Sequence, residues 1–194
     1  LAHKLKTVGG LTGPQLNREN LEEMLHLMVG NTKLTALKRK VLIPAFDLMN
    51  EKAKAKAEQH WRPKIFDITD NIEIATAILA TTAAPSYFSS YKVIFWKKEK
   101  QNKDSKGVSP NTPKGYIDGG VVLNNPSMAA VADALDPKKQ NQKLENIQVL
   151  NLGTGSYPLF VEGNKDSGVL GWAPLLIPLL FDGSEKTTVY ICDK

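Results

Sequence analysis

Residues 116–126 read YIDGGVVLNNP, Tyr116 to Pro126, and the interpretation of the fold starts from them. Tyr116 and Ile117 have the apolar, β-favouring character of a strand, and Asp118-Gly119-Gly120 stops it. Pro126 then opens a helix over Ser127 to Leu135, at a first-turn position where its missing N–H costs nothing. The same grammar returns at Ile147 to Leu152, an apolar run that reads as a strand and ends in Gly153-Thr154-Gly155. Strands that stop in glycine turns and give way to helices are the units of an α/β fold. In open α/β sheets ligands collect at the carboxyl ends of strands, so both turns are candidate sites.

Working outward, Ile72 to Thr82 carries helical periodicity through Ile72, Ala75, Ile78 and Leu79, and Ala83-Ala84-Pro85 ends it. Tyr91 to Trp96 follows as a strand, and the polar stretch Gln101 to Pro113 as an exposed loop. Upstream, Val41 to Phe46 reads as a buried strand with Pro44 at odds, and Lys64 to Phe66 as a second strand paired to it. Lys52 to Gln59 between them is an Ala/Lys tract that reads as solvent-facing. Gly9-Gly10 and Gly13-Pro14 mark a loop. Asn17 is the expected N-cap of a helix that ends at Gly30-Asn31, with Leu21, Met24, Leu25 and Met28 as its core stripe. Downstream, Gly171 to Phe181 is amphipathic and proline-bent. Together these elements predict an α/β domain over residues 1–194, with a central, mostly parallel sheet and helices on both faces.

Composition narrows the function. Of the 194 residues, 42% are apolar, enough for a real core, and 23% are charged, near the average for soluble chains. The formal charge of +5 favours anionic surfaces such as lipid headgroups but falls short of a nucleic-acid signature. A single cysteine, Cys192, excludes an internal disulfide and a cysteine-based zinc site. His3, His26 and His60 stand far apart without metal-ligand spacing, so neither a metal nor a cofactor is expected. The stretch Trp172 to Phe181 holds two prolines and is too short to cross a bilayer. The chain opens on Leu1 rather than Met and is expected to start inside a larger protein.

At the two turns the chemistry differs. Asp118 places a carboxylate at a strand end, followed by glycines that let another group approach. Such an acid can deprotonate a hydroxyl nucleophile, and equally it can cap its own turn. Gly153-Thr154-Gly155 could cradle phosphate, but it lacks the lysine and spacing of a P-loop and reads better as a tight turn.

Residues 75–88, ATAILATTAAPSYF, resemble the A-x-x-A-T-S-A-A-P-x-Y-F stretch of patatin-like phospholipases. YIDGGVVLNNP (116–126) resembles that family's strand, D-G-G/A turn and N-x-P, and VLNLGTG (149–155) its next strand and turn. VLIPAFDL (41–48) and Lys64 to Asp67 fit the same order, so the likeness runs from about residue 11 to the end, as the C-terminal part of the catalytic domain. The resemblance implies a lipid acyl hydrolase, a phospholipase A or esterase acting on a lipid or phospholipid, with peripheral membrane contact. It implies a Ser–Asp dyad with Asp118 as general base, Gly119 and Gly120 allowing close approach, and Thr81 to Phe88 lining or supporting the acyl site. Pro85 and Phe88 take structural roles there before catalytic ones, while Asn124, Asn125 and Pro126 hold the turn and start the next helix.

One departure from the family is specific. Ser86, Ser89, Ser90, Ser105, Ser109, Ser127, Ser156, Ser167 and Ser184 all lack the G-x-S-x-G setting of a nucleophile elbow, and no glycine-triplet oxyanion loop is present. The chain is therefore expected to need an N-terminal segment for folding and activity and to be inactive alone. The alternative is a catalytically inactive lipid- or protein-binding module that keeps the fold. A nucleotide-binding α/β protein using Gly153-Thr154-Gly155 would leave the Ala75 to Phe88 stretch unexplained.

Overall fold

The computed structural model describes residues 13–48, 60–94, 114–155, 160 and 168–193. They form two compact units divided between Val122 and Leu123. The expected Lys52 to Gln59 tract, the Gln101 to Pro113 loop and the Phe95-Trp96 end of one strand lie outside the described residues.

The first unit is built on a four-stranded sheet of β1 (Ile43–Asp47), β2 (Arg62–Phe66), β3 (Tyr91–Val93) and β4 (Lys114–Asp118), ordered β2-β1-β4-β3. Every described pairing is antiparallel, which corrects the expected mostly parallel sheet. Alternation of strands and helices predicts parallel strands only where each helix carries the chain back to the same end of the sheet. Here β1 and β2 are sequential neighbours, paired as expected but running in opposite directions, and β4 inserts between β1 and β3 against both.

Pro44 fits this topology. The β1–β4 ladder starts one residue later, at Ala45 opposite Asp118, so the missing Pro44 N–H removes no rung there. Pro63, opposite Phe46, lies in edge strand β2, where proline is tolerated.

Two helices precede and follow the first hairpin: α1 (Glu19–Val29) and α2 (Ile74–Thr81). Helix α2 is apolar on both sides because it lies between two partners. Ala77 and Ala80 join Leu34, Ala45, Phe66, Ile72, Val93 and Tyr116 in the sheet core. Ala75 and Leu79 face Leu25 of α1. These two helices are thus stacked, α1 upon α2 and α2 upon the sheet. Phe66 and Tyr116 meet edge to face with ring centroids 5.2 Å apart, and burying each ring contributes about 2–3 kcal/mol.

The predicted Leu/Met stripe of α1 is only half a core face. Leu25 is buried and Leu21 half-buried, whereas Met24 and Met28 are exposed. The expected cap is displaced as well: the Asn17 carboxamide accepts the Glu19 N–H at 3.1 Å, but Arg18 occupies the N-cap position. At the other end Gly30 takes a positive φ of 55° and its N–H returns to the His26 carbonyl at 2.9 Å.

The second unit begins within the short helix α3 (Gly120–Leu123) and holds α4 (Ser127–Leu135) and α5 (Val169–Cys192), which pack together. Asn125, buried, accepts the Ser127 N–H at 3.0 Å and fixes the entry to α4. The Asn124 carboxamide donates to the Phe181 carbonyl at 3.3 Å and to Glu185 at 3.4 Å, tying the start of the unit to α5. The expected bent segment Gly171 to Phe181 is instead the first half of one 24-residue helix that contains Pro174 and Pro178. Each proline removes one internal rung of that helix. Among the described residues no helix is long and apolar enough to cross a membrane.

The predicted strand Ile147 to Leu152 does not form. A 3₁₀ turn, Leu144–Asn146, leads into Ile147 with extended backbone, and residues 147–152 pair with no described strand. Leu150 and Leu152 are 82% and 83% exposed. Apolar character selects the extended conformation, but a strand exists only where a neighbour takes up its N–H and C=O groups.

Candidate active site at the end of strand β4

Asp118 is the last residue of β4. Three neighbours fix its backbone: Ala45 opposite it in the ladder, the Ala83 carbonyl accepting its N–H at 3.1 Å, and the Thr81 carbonyl accepting the Gly119 N–H at 3.2 Å. The end of α2 and the residues just beyond it thus grip the Asp-Gly step. Nothing in the sequence marks these contacts, because they use main-chain carbonyls. Both carbonyls belong to the Thr81 to Phe88 stretch.

Gly119 is buried with no room for a side chain. A Cβ there would overlap the Pro44 carbonyl and sit 3.0 Å from the Pro44 Cβ. The backbone of β1 thus approaches this glycine closely. Gly120 donates its N–H to Asp118 Oδ1 at 2.7 Å. One oxygen of Asp118 therefore caps its own turn, the bland alternative for this residue, while Oδ2 has no partner among the described residues.

The electrostatics follow from that placement. Burial raises the Asp118 pKa above the ordinary carboxylate value, and the Gly120 N–H opposes part of the rise. No described basic side chain pairs with it to hold it ionised. A carboxylate raised by desolvation, with one oxygen anchored and one open, is suited to accepting a proton.

Pro85 and Phe88 follow Ala83 in the same stretch. After Pro85, Ser86 takes a left-handed φ of 70°, and the Tyr87 and Phe88 N–H groups both return to the Ala84 carbonyl at 3.1 and 2.9 Å. The Phe88 ring lies under the Arg18 guanidinium, 5.7 Å from its centroid. Asp47, fully buried on β1, pairs with Arg62 at 3.4 Å. No sequence pattern singles out Arg18 or Asp47. Among the described residues no group of three or more His, Cys, Asp or Glu is placed to hold a metal.

The family model of the patatin-like phospholipases matches residues 2–131. Patatin-like protein 2 of Arabidopsis thaliana is 29% identical over 187 residues, covering 88% of this chain and 41% of that protein. Patatin-like protein 3 of the same plant is 28% identical over 160 residues, 74% of this chain and 33% of that protein. The cGAMP-activated phospholipase of Escherichia coli (strain TW11681) is 29% identical over 147 residues, 74% of this chain and 36% of that protein. The chain spans less than half the length of each of these relatives.

Proposed function

The chain belongs to the patatin-like phospholipase family, and from that we propose that Asp118 is the proton-accepting half of a lipid acyl hydrolase site. The observation that carries this is the carboxylate itself: at a strand end, raised in pKa by burial, with Oδ1 anchored by Gly120 and Oδ2 open. The nucleophile is a serine outside these 194 residues, since no serine within them has the glycine-flanked setting of an elbow.

In the proposed reaction Asp118 takes the serine hydroxyl proton as the serine oxygen bonds to the ester carbonyl of a phospholipid or related lipid. The bond to the leaving alcohol breaks and the alcohol receives that proton, leaving an acyl-serine ester. Water then attacks this ester with Asp118 again as base, releasing the fatty acid and restoring the serine. The +5 charge suits peripheral contact with an anionic lipid surface, a contact that weakens as salt screens it.

The test is hydrolysis of a short-chain nitrophenyl ester and of phospholipid vesicles by the full-length protein and its Asp118→Asn variant. The variant keeps an acceptor for Gly120 but cannot serve as base, and kcat should fall by about 10²–10⁴-fold, the range of general acid–base catalysis. Equal activity in the two proteins would remove Asp118 from the reaction. A full-length protein inert towards both substrates, with no elbow in its sequence, would favour the binding module that retains the fold.

A further inference from the structure

Arg18 stands at the N-terminal end of α1, and its side chain reaches residues 88–91. The guanidinium lies over the Tyr91 ring at 5.0 Å from the centroid, over the Phe88 ring at 5.7 Å, and donates from Nη2 to the Ser89 carbonyl. A planar cation that stacks on two rings while donating a hydrogen bond is a task for arginine that lysine performs poorly. The backbone on either side follows the same path: the Gln15 N–H donates to the Ser86 carbonyl at 3.0 Å and the Leu16 N–H to the Tyr87 carbonyl at 2.9 Å. Residues 15–18 therefore strap residues 86–91 over their whole length.

What is strapped leads to Asp118 by two routes. Along the chain, 86–89 continue directly from Thr81 and Ala83, whose carbonyls hold the Gly119 and Asp118 N–H groups. Across the sheet, Tyr91 is the register partner of Tyr116, two residues before Asp118 on β4. Between the routes sits Ser86 at φ 70°, a conformation that a non-glycine residue keeps only when its surroundings impose it.

We propose that Arg18 is a positioning residue for Asp118: by clasping Phe88, Tyr91 and the Ser89 carbonyl it holds stretch 81–91 so that the Asp118 carboxylate stays sheltered and aimed. The proposal rests on Asp118 acting as the base. It accounts for an arginine drawn out of water between two rings, where burial lowers its pKa against the opposing influence of Glu22 and Tyr91.

The consequence is read in the pH profile. Burial and the Gly120 N–H are what set the Asp118 titration, with no charged group of β1, α2 or β3 contributing, and Asp47 on β1 is engaged with Arg62. Around Arg18 itself the charged and titrating groups are Glu22 on α1 and Tyr91 on β3. Removing the strap lets water reach the carboxylate, which brings its pKa down towards the ordinary value.

The experiment measures kcat and KM for a soluble nitrophenyl ester across pH in the full-length protein, normalised to active sites, for wild type, Arg18→Met, Arg18→Lys and Asp118→Asn. Arg18→Met should lower kcat by about tenfold to a hundredfold, as misplacement of a catalytic group does, with KM within about twofold. Its acid limb should move to lower pH, and Arg18→Lys should lie between it and wild type. Loss of stability alone would reduce the active fraction and leave that limb in place. If Arg18→Met does not fold, Arg18→Lys carries the same pH readout. Variants of Arg18 with wild-type kcat and acid limb, beside an inactive Asp118→Asn, would overturn the positioning role and leave the base assignment standing. An active Asp118→Asn would overturn both.

Discussion

Asp118 is held in a setting that favours its neutral form, and this has a cost to the fold. Its folded pKa is raised by burial, so between the ordinary carboxylate pKa and the raised value the folded protein binds more protons than the unfolded one. The sign is therefore opposite to that of a salt-bridged aspartate: this group's contribution to stability falls as pH rises through that window. Asp118→Asn does not titrate and still accepts from Gly120. Thermal unfolding of the full-length pair should show the variant with the higher Tm at neutral pH, the gap closing as pH drops below the ordinary carboxylate range. A variant less stable at neutral pH than wild type would mean that the carboxylate is stabilised where it sits. The position of Asp118 was legible in the sequence because aspartate before two glycines marks a strand end. Its partners Thr81, Ala83 and Pro44 were not, because a main-chain carbonyl has the same chemistry at every residue and leaves no trace in composition.

Helix α2 shows what can be foreseen for an element and what cannot. Its length and apolar character follow from Ile72, Ala75, Ile78 and Leu79 at helical spacing and the proline that stops it. The structure adds that alanine is needed for its size, since Ala80 is fully buried against the sheet and Ala77 beside it. Ala80→Leu should force the helix off β1 and β4 and cost about 1–3 kcal/mol in urea unfolding, the usual penalty of overpacking. An unchanged midpoint would show slack in this interface. Strand direction is not legible for a different reason: it is set by which strands become neighbours, and the order β2-β1-β4-β3 is written in no local pattern. Residues 147–152 show the same dependence more sharply. Their apolar run reads as a strand, yet pairing is a property of two segments, and no described strand pairs with them.

At the scale of the molecule the exposed apolar side chains stand out. Leu27, Leu150 and Leu152 are each more than four-fifths exposed, and Met28 is 74% exposed. Isolated exposed leucines are ordinary on soluble proteins, whereas clustered ones on an unpaired extended segment favour association. Expressed as 194 residues alone, the chain should elute as oligomers by light scattering, bind a hydrophobic dye and lack a sharp monomeric melting transition. The full-length protein should show none of these. A monomer with a cooperative melt would mean that the two units are self-sufficient. The tight fit of Gly119 on Pro44 bears on how such a chain finds its fold. If β4 slipped by one residue along β1, either the Asp118 side chain would be driven into the Pro44 carbonyl or Tyr116 would swing from the core to the opposite face. Both offsets are rejected at once, so this pair of strands can zip up in a single alignment, and the glycine acts as its proofreader.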